Sequence, residues 1–405
     1  MTYILGELHP RSSCTVGAAC ESTSITHLNL SNSGLSSTLQ NLSFSSFPNL
    51  ISIDFANNSI YRDIPRSLYS LSKLTHLELS INRLSGFISP ALANLSSLSF
   101  LDLSQNQISA TIPREIGNLR SLGVIELSAN NLSGALPVSL GNLSSISSIN
   151  LGPIPKSLKN CSSLFRLRLY WNQLTENVTE AFGIYPNLDH IDLSGNKLHS
   201  EVSPKWGHCH NLTSLNFSNN QISGSIPLEL ANATRLQVLD LSKNRLPGNI
   251  PEELGSLELT LKLMLNGNQL SREVPKRIGM LADLKYLNLA ANNLSGSIPK
   301  EFGGCFKLIQ LNLENNKLEG NIPREMANMC FLENLDLSSN LLSGEIPPQL
   351  AQMKRLQTLN LSHNNFFGSI PPNFDEMMTL TMIDISFNQL AGPIPNSKAF
   401  REAPL

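Results

Sequence analysis

The chain has 405 residues, a formal net charge of −2 and a pI near 6.5, which argues against nucleic acid or an anionic membrane surface as a partner. No apolar run reaches the roughly 18–20 residues that a membrane helix needs. The segment Met1–Pro10 has no basic start and is a poor signal peptide. Either the chain is cytosolic or it is part of a longer secreted parent, and we expect the second.

One pattern, L-x-x-L-x-L-x-x-N, recurs along almost the whole chain. One copy is Leu98, Leu101, Leu103 and Asn106, and the Asn position returns every 24 residues in two runs. These runs are Asn58, Asn82, Asn106 and Asn130, then Asn172, Asn196, Asn220, Asn244, Asn268, Asn292, Asn316, Asn340, Asn364 and Asn388. A fixed period of this length predicts an α/β solenoid of about sixteen leucine-rich repeats.

The alternation of the pattern predicts one short strand in each coil. The leucines point inward and stack on those of neighbouring coils, so a core forms only by stacking. The residues between them point outward and line a concave surface. An inward Asn carboxamide is expected to satisfy backbone groups of its own turn and of neighbouring coils.

A second signature, L-x-G-x-I-P, follows the Asn, as in Leu294, Gly296, Ile298 and Pro299. Together the two motifs resemble the leucine-rich repeats of plant receptor-like kinases and receptor-like proteins. The resemblance implies a right-handed superhelical ectodomain with parallel strands on its concave face. It also implies a secreted peptide ligand, a shorter co-receptor of the somatic-embryogenesis receptor kinase type and no cofactor.

Three domains are predicted: a partial N-terminal cap at 1–24, the solenoid at 25–395, and the truncated start of a C-terminal cap at 396–405. The family's N-terminal cap carries a Cys pair, so the resemblance implies a disulfide between Cys14 and Cys20; two free thiols are the alternative. At the other end, a last coil without a cap is expected to expose core and strand edge.

The sixth repeat, near 146–160, is shortened. Asn130 and Asn172 are 42 residues apart where two coils would give 48, and the six missing residues belong directly after Leu151. We expect this loss to open the core and bend the solenoid. Cleavage in 145–160 that is no faster than in other coils would argue against such a defect.

The seventh repeat carries the strongest candidate site. Arg166, Arg168 and Tyr170 alternate with core leucines and should project from the concave face, with Trp171 at its edge. In the next coil, two further side chains are expected to project beside them, His190 and Asp192. Coils seven and eight, which also contain Trp206, resemble those of the male-discoverer-interacting receptor kinase clade.

Two guanidinium groups on one strand face can bind a carboxylate through paired hydrogen bonds. Arg166 and Arg168 match the R-x-R feature by which several plant peptide-hormone receptors hold the free C-terminus of a peptide. Tyr170 and Trp171 would add aromatic anchors. The alternative is a solvated basic strand whose charges are paired with Asp189 or Asp192.

The remaining chemistry-bearing residues predict no enzyme and no metal site. Cys209 falls on a row that faces the core, so His208 and His210 should point away from it. Cys305 and Cys330 could form a bridge, although buried free thiols are the preferred interpretation. The sequence has no catalytic signature, and its repeated carboxylates are expected to form a surface row, namely Asp102, Asp192, Asp240 and Asp336.

Thirteen N-glycosylation acceptors are consistent with a secreted chain: Asn29, Asn41, Asn57, Asn94, Asn131, Asn142, Asn160, Asn177, Asn211, Asn216, Asn232, Asn293 and Asn360. Asn29, Asn216 and Asn360 are expected on the concave strands, where glycans would exclude a partner. The predicted function is therefore peptide recognition at the extracellular face of the plasma membrane, in defence or development. The membrane helix and kinase domain of such a parent lie outside this sequence. The alternative is a secreted inhibitor of pathogen wall-degrading enzymes, similar to polygalacturonase-inhibiting proteins.

Overall fold

The computed structural model of the chain describes residues 18–21, 24–132, 137, 139, 143, 148–150, 164–168, 170–171, 174–396 and 398–402. Only the backbone is described at 18–21, 148–150, 398 and 402. The chain divides into two compact units, Met1–Leu198 (unit 1) and His199–Leu405 (unit 2), and each is described separately.

Unit 1 is built on a sheet with one short strand per coil, because each L-x-L step places one leucine inside and its neighbours outside. Ile53, Leu77 and Leu101 are fully buried or nearly so, while the residues on either side of each are half-buried. We call this second side the open face; it is the surface that the sequence predicted as concave. The strands are Ala18–Glu21, Ser24–Asn29, Ser52–Asp54, His76–Glu78, Phe100–Asp102, Val124–Glu126, Ser148–Asn150, Arg166–Arg168 and His190–Asp192.

The shortened sixth repeat keeps its strand in register. Ile149 lies opposite Ile125 on one side and opposite Leu167 on the other, and both pairings are parallel. Thus the strand follows its predecessor by 24 residues and precedes its successor by only 18, so the missing residues lie outside the paired segment. Residues 151–160 lie outside the described residues, and the opened core and the bend remain predictions.

Unit 2 is built on a main sheet of the same kind and has a second sheet as well. The second sheet has seven parallel strands formed by the residues after each Asn, where the sequence predicted only a turn at L-x-G-x-I-P. The main strands are Ser214–Asn216, Val238–Asp240, Lys262–Met264, Tyr286–Asn288, Gln310–Asn312, Asn334–Asp336, Thr358–Asn360 and Met382–Asp384. The second strands are Pro247–Gly248, Gln269–Glu273, Asn293–Ser297, Lys317–Gly320, Leu341–Gly344, Asn365–Gly368 and Gln389–Leu390.

In unit 1 the described second strands form two separate pairs. Tyr61–Arg62 lies beside Arg83–Leu84, and Ser109–Ala110 lies beside Asn131–Leu132. The position of the signature Gly has positive φ in both units: φ is 72° at Gly296 and 65° at Ala110. A Gly suits this backbone because an L side chain is strained there.

Short helices close the coils, and in most of them a proline precedes or begins the helix. The described 3-10 helices of unit 1 are Leu39–Asn41, Phe44–Ser46, Arg66–Ser70, Pro90–Asn94 and Arg114–Asn118. Those of unit 2 are Pro204–His208, Leu228–Asn232, Glu252–Ser256, Lys276–Met280, Lys300–Gly304, Arg324–Asn328, Pro348–Gln352 and Pro372–Glu376. A short α-helix, Val178–Ala181, belongs to unit 1.

A second α-helix, Lys398–Glu402, packs against the last main strand of unit 2. Two residues of this helix, Ala399 and Phe400, are buried, with exposures of 1% and 7%. Two core side chains of the last coil, Leu380 and Ile383, are likewise buried. Ile385 and Leu390 are only half-buried and Ile394 is 57% exposed, so the predicted exposure of the core is present in part of this coil.

The inward Asn residues form the expected ladder of hydrogen bonds. Nδ2 of Asn106 donates to the carbonyl oxygens of Leu79, Leu103 and Ser104 at 3.0–3.1 Å. Its Oδ1 accepts from the N–H of Leu84 at 2.9 Å. Leu79 and Leu84 belong to the preceding coil, so the carboxamide joins two coils. The predicted role of the Asn is confirmed.

The residue before each ladder Asn adopts left-handed backbone geometry. Its φ is between 50° and 55° wherever a residue other than glycine stands there among the described positions. Members of this row include Ile81, Gln105, Ala129, Trp171, Asn219, Lys243, Ala291, Asn315, Ser339, His363 and Phe387.

Candidate functional site

The strand Arg166–Arg168 presents both guanidinium side chains on the open face of unit 1. Leu167 between them is fully buried, whereas Arg166 and Arg168 are half-buried. In the register of the sheet, Arg166 lies opposite His190 and Arg168 lies opposite Asp192. We call Arg166 and Arg168 the arginine pair. The alternation that predicted them therefore places them on the predicted side of the sheet.

Among the described residues, one carboxylate lies within ion-pair distance of Arg166. Its Nη2 lies 3.6 Å from Oδ2 of Asp189, at the long end of the range for an ion pair, and its guanidinium carbon is 5.7 Å from the centroid of the Phe165 ring. Its Nε is buried and has no hydrogen-bond partner within the described part of the chain. The Arg166 side chain as a whole is 37% exposed, so its solvent-facing N–H groups can donate to a second carboxylate beside Asp189.

Asp192 and His190 limit the charge around the pair. Oδ1 of Asp192 accepts from the N–H of Ser194 at 3.0 Å and from its hydroxyl at 2.6 Å, so this oxygen is held within its own turn. Burial, followed by the nearby charges of Arg168 and Arg166, holds the pKa of His190 below its usual value. His190 is therefore neutral at neutral pH, and the cationic charge of the site comes from the arginine pair.

Two aromatic side chains lie next to the pair. The Trp171 side chain is 66% exposed; its backbone has φ of 50° and donates its N–H to the carbonyl oxygen of Ser194 at 2.8 Å. A Cβ at Gly195 would lie 2.8 Å from the indole ring, so only glycine leaves room for Trp171 here. Tyr170 is half-buried. The six predicted site residues thus lie on two adjacent strands and the turns that follow them.

A second charged feature of the same face was predicted from the sequence only at Asp102. Asp54, Glu78, Asp102 and Glu126 occupy the last position of four consecutive strands and lie opposite one another in register. We call these four residues the acidic row. Burial raises the pKa of Glu78 and of Asp102, although hydrogen bonds from Ser80 and Ser104 oppose the change. Reading the sequence at intervals of 24 residues would have shown this row.

Aromatic rings accompany the acidic row. His76 and Phe100, on the same strands as Glu78 and Asp102, stack with their ring centroids 4.2 Å apart and their planes within 10°. Burial lowers the pKa of His76, although Asp54 and Asp102 act in the opposite direction. The strands that carry the acidic row therefore also carry one neutral imidazole and one phenyl ring.

Three cysteine residues of unit 2 are described, and their burial tests the predictions made for them. Cys209 is buried while His208 and His210 are exposed, as the repeat pattern predicted. Cys305 is a buried free thiol whose pKa burial raises to about 12. Cys330 is also free but exposed, so the possible Cys305–Cys330 bridge is wrong, and so is the expectation that both thiols are buried.

Other predicted residues lie outside the described part of the chain or stay untested. The proposed Cys14–Cys20 disulfide lies outside the described side chains. Within the described residues, no three His, Cys, Asp or Glu side chains are placed to hold a metal ion. The same residues contain no helix with the length and apolarity to cross a bilayer.

Eleven of the thirteen glycosylation acceptors lie among the described residues, and none of these is buried. Asn216 and Asn360 end main strands, as predicted, and Asn29 ends the strand Ser24–Asn29. Nδ2 of Asn360, the atom to which a glycan would be attached, donates to Oδ2 of Asp336 at 3.3 Å. Asn142 and Asn160 lie outside the described residues.

Comparison with known proteins identifies the repeats. The model described as Leucine Rich repeats (2 copies) matches residues 210–256 and 330–376. The model described as Leucine Rich Repeat matches residues 73–95, 97–119, 283–305 and 307–329. No curated protein matches the sequence.

Solved structures of plant receptors share the fold. The PEPR1–AtPEP1 complex superposes with a TM-score of 0.82 at 32% identity, covering 89% of this chain and 51% of that chain. The ectodomain of the Arabidopsis receptor kinase HAESA, in complex with an extended IDA peptide hormone, gives 0.77 at 30%, covering 94% and 69%. The plant peptide hormone receptor RGFR1 with RGF2 gives 0.66 at 29%, covering 92% and 72%. This chain thus spans about half the length of PEPR1.

Proposed function

Since the chain belongs to the leucine-rich-repeat family and has the fold of plant receptor-kinase ectodomains, we propose that it binds a secreted peptide on the open face of unit 1. The arginine pair holds the terminal carboxylate of that peptide. Tyr170 and Trp171 pack against its last side chains, and His190 and Asp192 border the site. Three similar structures are complexes with peptides, which supports this class of ligand.

The observation that carries the proposal is the incomplete pairing of Arg166. Among the described residues its one ion-pair contact is 3.6 Å long, and its buried Nε has no acceptor there. A guanidinium that keeps buried N–H groups without acceptors loses the hydrogen bonds that water would give it. The N–H groups on the exposed part of the side chain can donate to a ligand carboxylate, which also neutralises the local charge.

The finer assignments belong to the same proposal. We place the chain near the male-discoverer-interacting receptor kinase clade, on the basis of coils seven and eight with Trp206. Its site of action is the extracellular face of the plasma membrane, where peptide binding leads to pairing with a co-receptor. An inhibitor of wall-degrading enzymes remains the alternative prediction, and such a protein has no need of a free peptide carboxylate.

The test measures whether binding depends on the peptide terminus and on the arginine pair. Nine-residue peptides of randomised sequence are prepared with a free carboxyl terminus and as C-terminal amides, and binders are ranked by calorimetry. Arg166→Ala with Arg168→Ala should weaken the carboxylate peptides about tenfold or more, or at least roughly 1.4 kcal/mol. Lysine at both positions should restore only part of the affinity, because a point charge lacks the paired donors.

A matched control removes two arginines away from this face. Arg114 and Arg324 have side chains that are 87% and 76% exposed and lie beside Glu115 and Glu325. Their replacement by Ala should leave peptide affinity unchanged. Equal affinity for carboxylate and amide peptides would overturn the proposal, as would full affinity in the Arg166 and Arg168 double variant.

A further inference from the structure

Two residues of each coil in unit 2 lie between the 3-10 helix and the following main strand, with a buried residue on either side of them. We call these pairs the return edge of unit 2. The first two pairs are polar, namely His210 with Asn211 and Thr234 with Arg235. The six later pairs are Glu258 and Leu259, Ala282 and Asp283, Phe306 and Lys307, Cys330 and Phe331, Lys354 and Arg355, and Met378 and Thr379. Large apolar side chains thus stand at positions that the fold leaves in contact with solvent.

The later pairs lie side by side along the edge. From Asp283 onward each coil contacts the next through its pair: Nζ of Lys307 lies 2.5 Å from Oδ1 of Asp283, Sγ of Cys330 lies 4.0 Å from the carbonyl oxygen of Phe306, the guanidinium carbon of Arg355 lies 4.6 Å from the ring centroid of Phe331, and the hydroxyl of Thr379 lies 2.9 Å from the carbonyl oxygen of Lys354. The exposed fractions of Leu259, Phe306, Phe331 and Met378 are 46%, 43%, 40% and 89%. Single exposed apolar side chains are common, whereas four of them on one edge indicate an interaction surface.

The order of side chains along this edge is complementary to its own reverse. Glu258 and Asp283 stand on the first two of the six coils, whereas Lys354 and Arg355 stand on the fifth. The four exposed apolar side chains fall on the first, third, fourth and sixth coils, an arrangement that reversal leaves unchanged. A two-fold axis places a surface against a reversed copy of itself. Such an axis would bring apolar groups together and acidic groups against basic ones.

We infer that the return edge between Glu258 and Thr379 is a dimer interface with a second copy of this chain. The two-fold axis passes between the coils of Asn316 and Asn340. Phe306 then meets Phe331 of the second copy, and Leu259 meets Met378 of that copy. Asp283 keeps Lys307 as its neighbour and gains the guanidinium of Arg355 across the interface. This inference does not depend on peptide binding to unit 1.

Charge fixes the position of the axis. If the axis ran through the coil of Asn340, Lys307 would face Lys354 and Arg355 of the second copy. If it ran through the coil of Asn316, the two Lys307 side chains would face each other. Like charges brought together across an interface suppress association. The axis between these two coils avoids both clashes.

The glycosylation acceptors leave this part of the edge uncovered. Asn211 belongs to the first, polar pair of the edge. The two acceptors after Glu258 lie elsewhere, because Asn293 begins a strand of the second sheet and Asn360 ends a main strand. A glycan on an interface would exclude the partner, so attached glycans are compatible with the dimer.

The test follows self-association of the full chain by sedimentation velocity at low salt, between about 1 and 100 μM. The wild-type protein should shift from monomer to dimer as its concentration rises. Asp283→Arg and Arg355→Asp should each raise the dissociation constant about tenfold or more, because each places like charges across the interface. The two reversals in one chain should restore association to within about threefold of the wild type.

An aromatic variant has a matched control on another surface. Phe331→Ser removes a ring from the centre of the interface and should weaken association about tenfold or more. Phe367→Ser removes a ring that is 49% exposed on the second sheet, and it should leave association unchanged. Equal weakening by both substitutions would overturn the inference. Circular dichroism of each variant confirms that the fold is intact.

The free thiol of Cys330 tests the geometry without destabilising the interface. The proposed axis places the two Cys330 residues about one coil apart, or roughly 5 Å along the edge. A short bismaleimide should therefore join two wild-type chains, and Cys330→Ser should abolish this covalent dimer while the reversible association remains. A wild-type protein that stays monomeric over the whole concentration range would overturn the inference. So would a double reversal of Asp283 and Arg355 that fails to restore association.

Discussion

Units 1 and 2 use the same coil for two different surfaces. In unit 1 the last strand position carries Asp54, Glu78, Asp102 and Glu126 in succession, and the arginine pair follows further along the same sheet. In unit 2 each described Asp at this position has neutral neighbours in register: Asn216, Met264, Asn312 and Asn360. The core and the Asn ladder are common to both units. The open face can therefore change its charge without changing the coil.

The largest loss of stability is expected at the Asn ladder, which the two units share. Asn106 in unit 1 and Asn316 in unit 2 each contact three carbonyl oxygens and one N–H. Replacing either by Leu leaves these buried groups unsatisfied and should cost about 2–4 kcal/mol of unfolding free energy. Urea unfolding measures the loss. Asn315→Gly, at the exposed neighbouring position, is the control, and a loss there as large as that of Asn316→Leu would contradict this explanation.

A smaller effect should separate the second strands of the two units. A Cβ at Gly296 would lie 2.7 Å from Cγ of Glu273, at a φ of 72°. Gly296→Ala should therefore destabilise unit 2 by about 1–2 kcal/mol. Ala110 already holds a φ of 65° at the equivalent position in unit 1, so Ala110→Gly should cause no loss. Thermal unfolding of both variants decides the point, and equal losses would show that backbone strain is not the cause.

The charge difference itself should appear as a dependence on pH. The pKa of Asp102 is higher in the folded chain than in the unfolded chain, so its ionisation reduces stability as the pH rises through this interval. Asp102→Asn should therefore be more stable than the wild type at neutral pH by about 0.5 kcal/mol, and this advantage should vanish at low pH. Asp336→Asn is the matched control, because its neighbours in register are neutral and no gain is expected.

The smallest effect concerns the carboxylate already present beside Arg166. Asp189→Asn removes the group 3.6 Å from the guanidinium and should increase affinity for carboxylate peptides about two- to threefold. Asp283→Asn removes a similar surface partner from Lys307 in unit 2 and should leave this affinity unchanged. A decrease in affinity for Asp189→Asn would mean that Asp189 orients Arg166 and does not compete with the ligand.

Much of the fold was predictable because the repeat pattern reports it directly. The leucines, the inward Asn and the outward Arg166 and Arg168 all follow from a period of two within a period of 24 residues. The second sheet was missed because L-x-G-x-I-P looks like a turn in isolation. Its strands form only when the same segment of the next coil lies beside it.

The candidate site was predictable only in part. Arg166 and Arg168 stand out because they differ from the Asp, Asn or Ser usual at their positions. Glu78 and Glu126 looked ordinary in their own coils, and their common feature appears only when equivalent positions are compared. The contact between Arg166 and Asp189 depends on side-chain rotamers, and the sequence left Asp189 and Asp192 equally possible. The burial of Ala399 and Phe400 could not be predicted, because they lie in a helix that follows the last repeat and has no equivalent in the other coils.

The strand Ser148–Asn150 has a wider consequence. It stays opposite Ile125 and Leu167 although its coil has lost six residues. A deletion outside the paired segment of a coil can therefore leave the register of its strand with both neighbouring strands unchanged. Residues on the strands keep a constant spacing along the sheet. Coil length and the residues that select a ligand can therefore change independently in evolution.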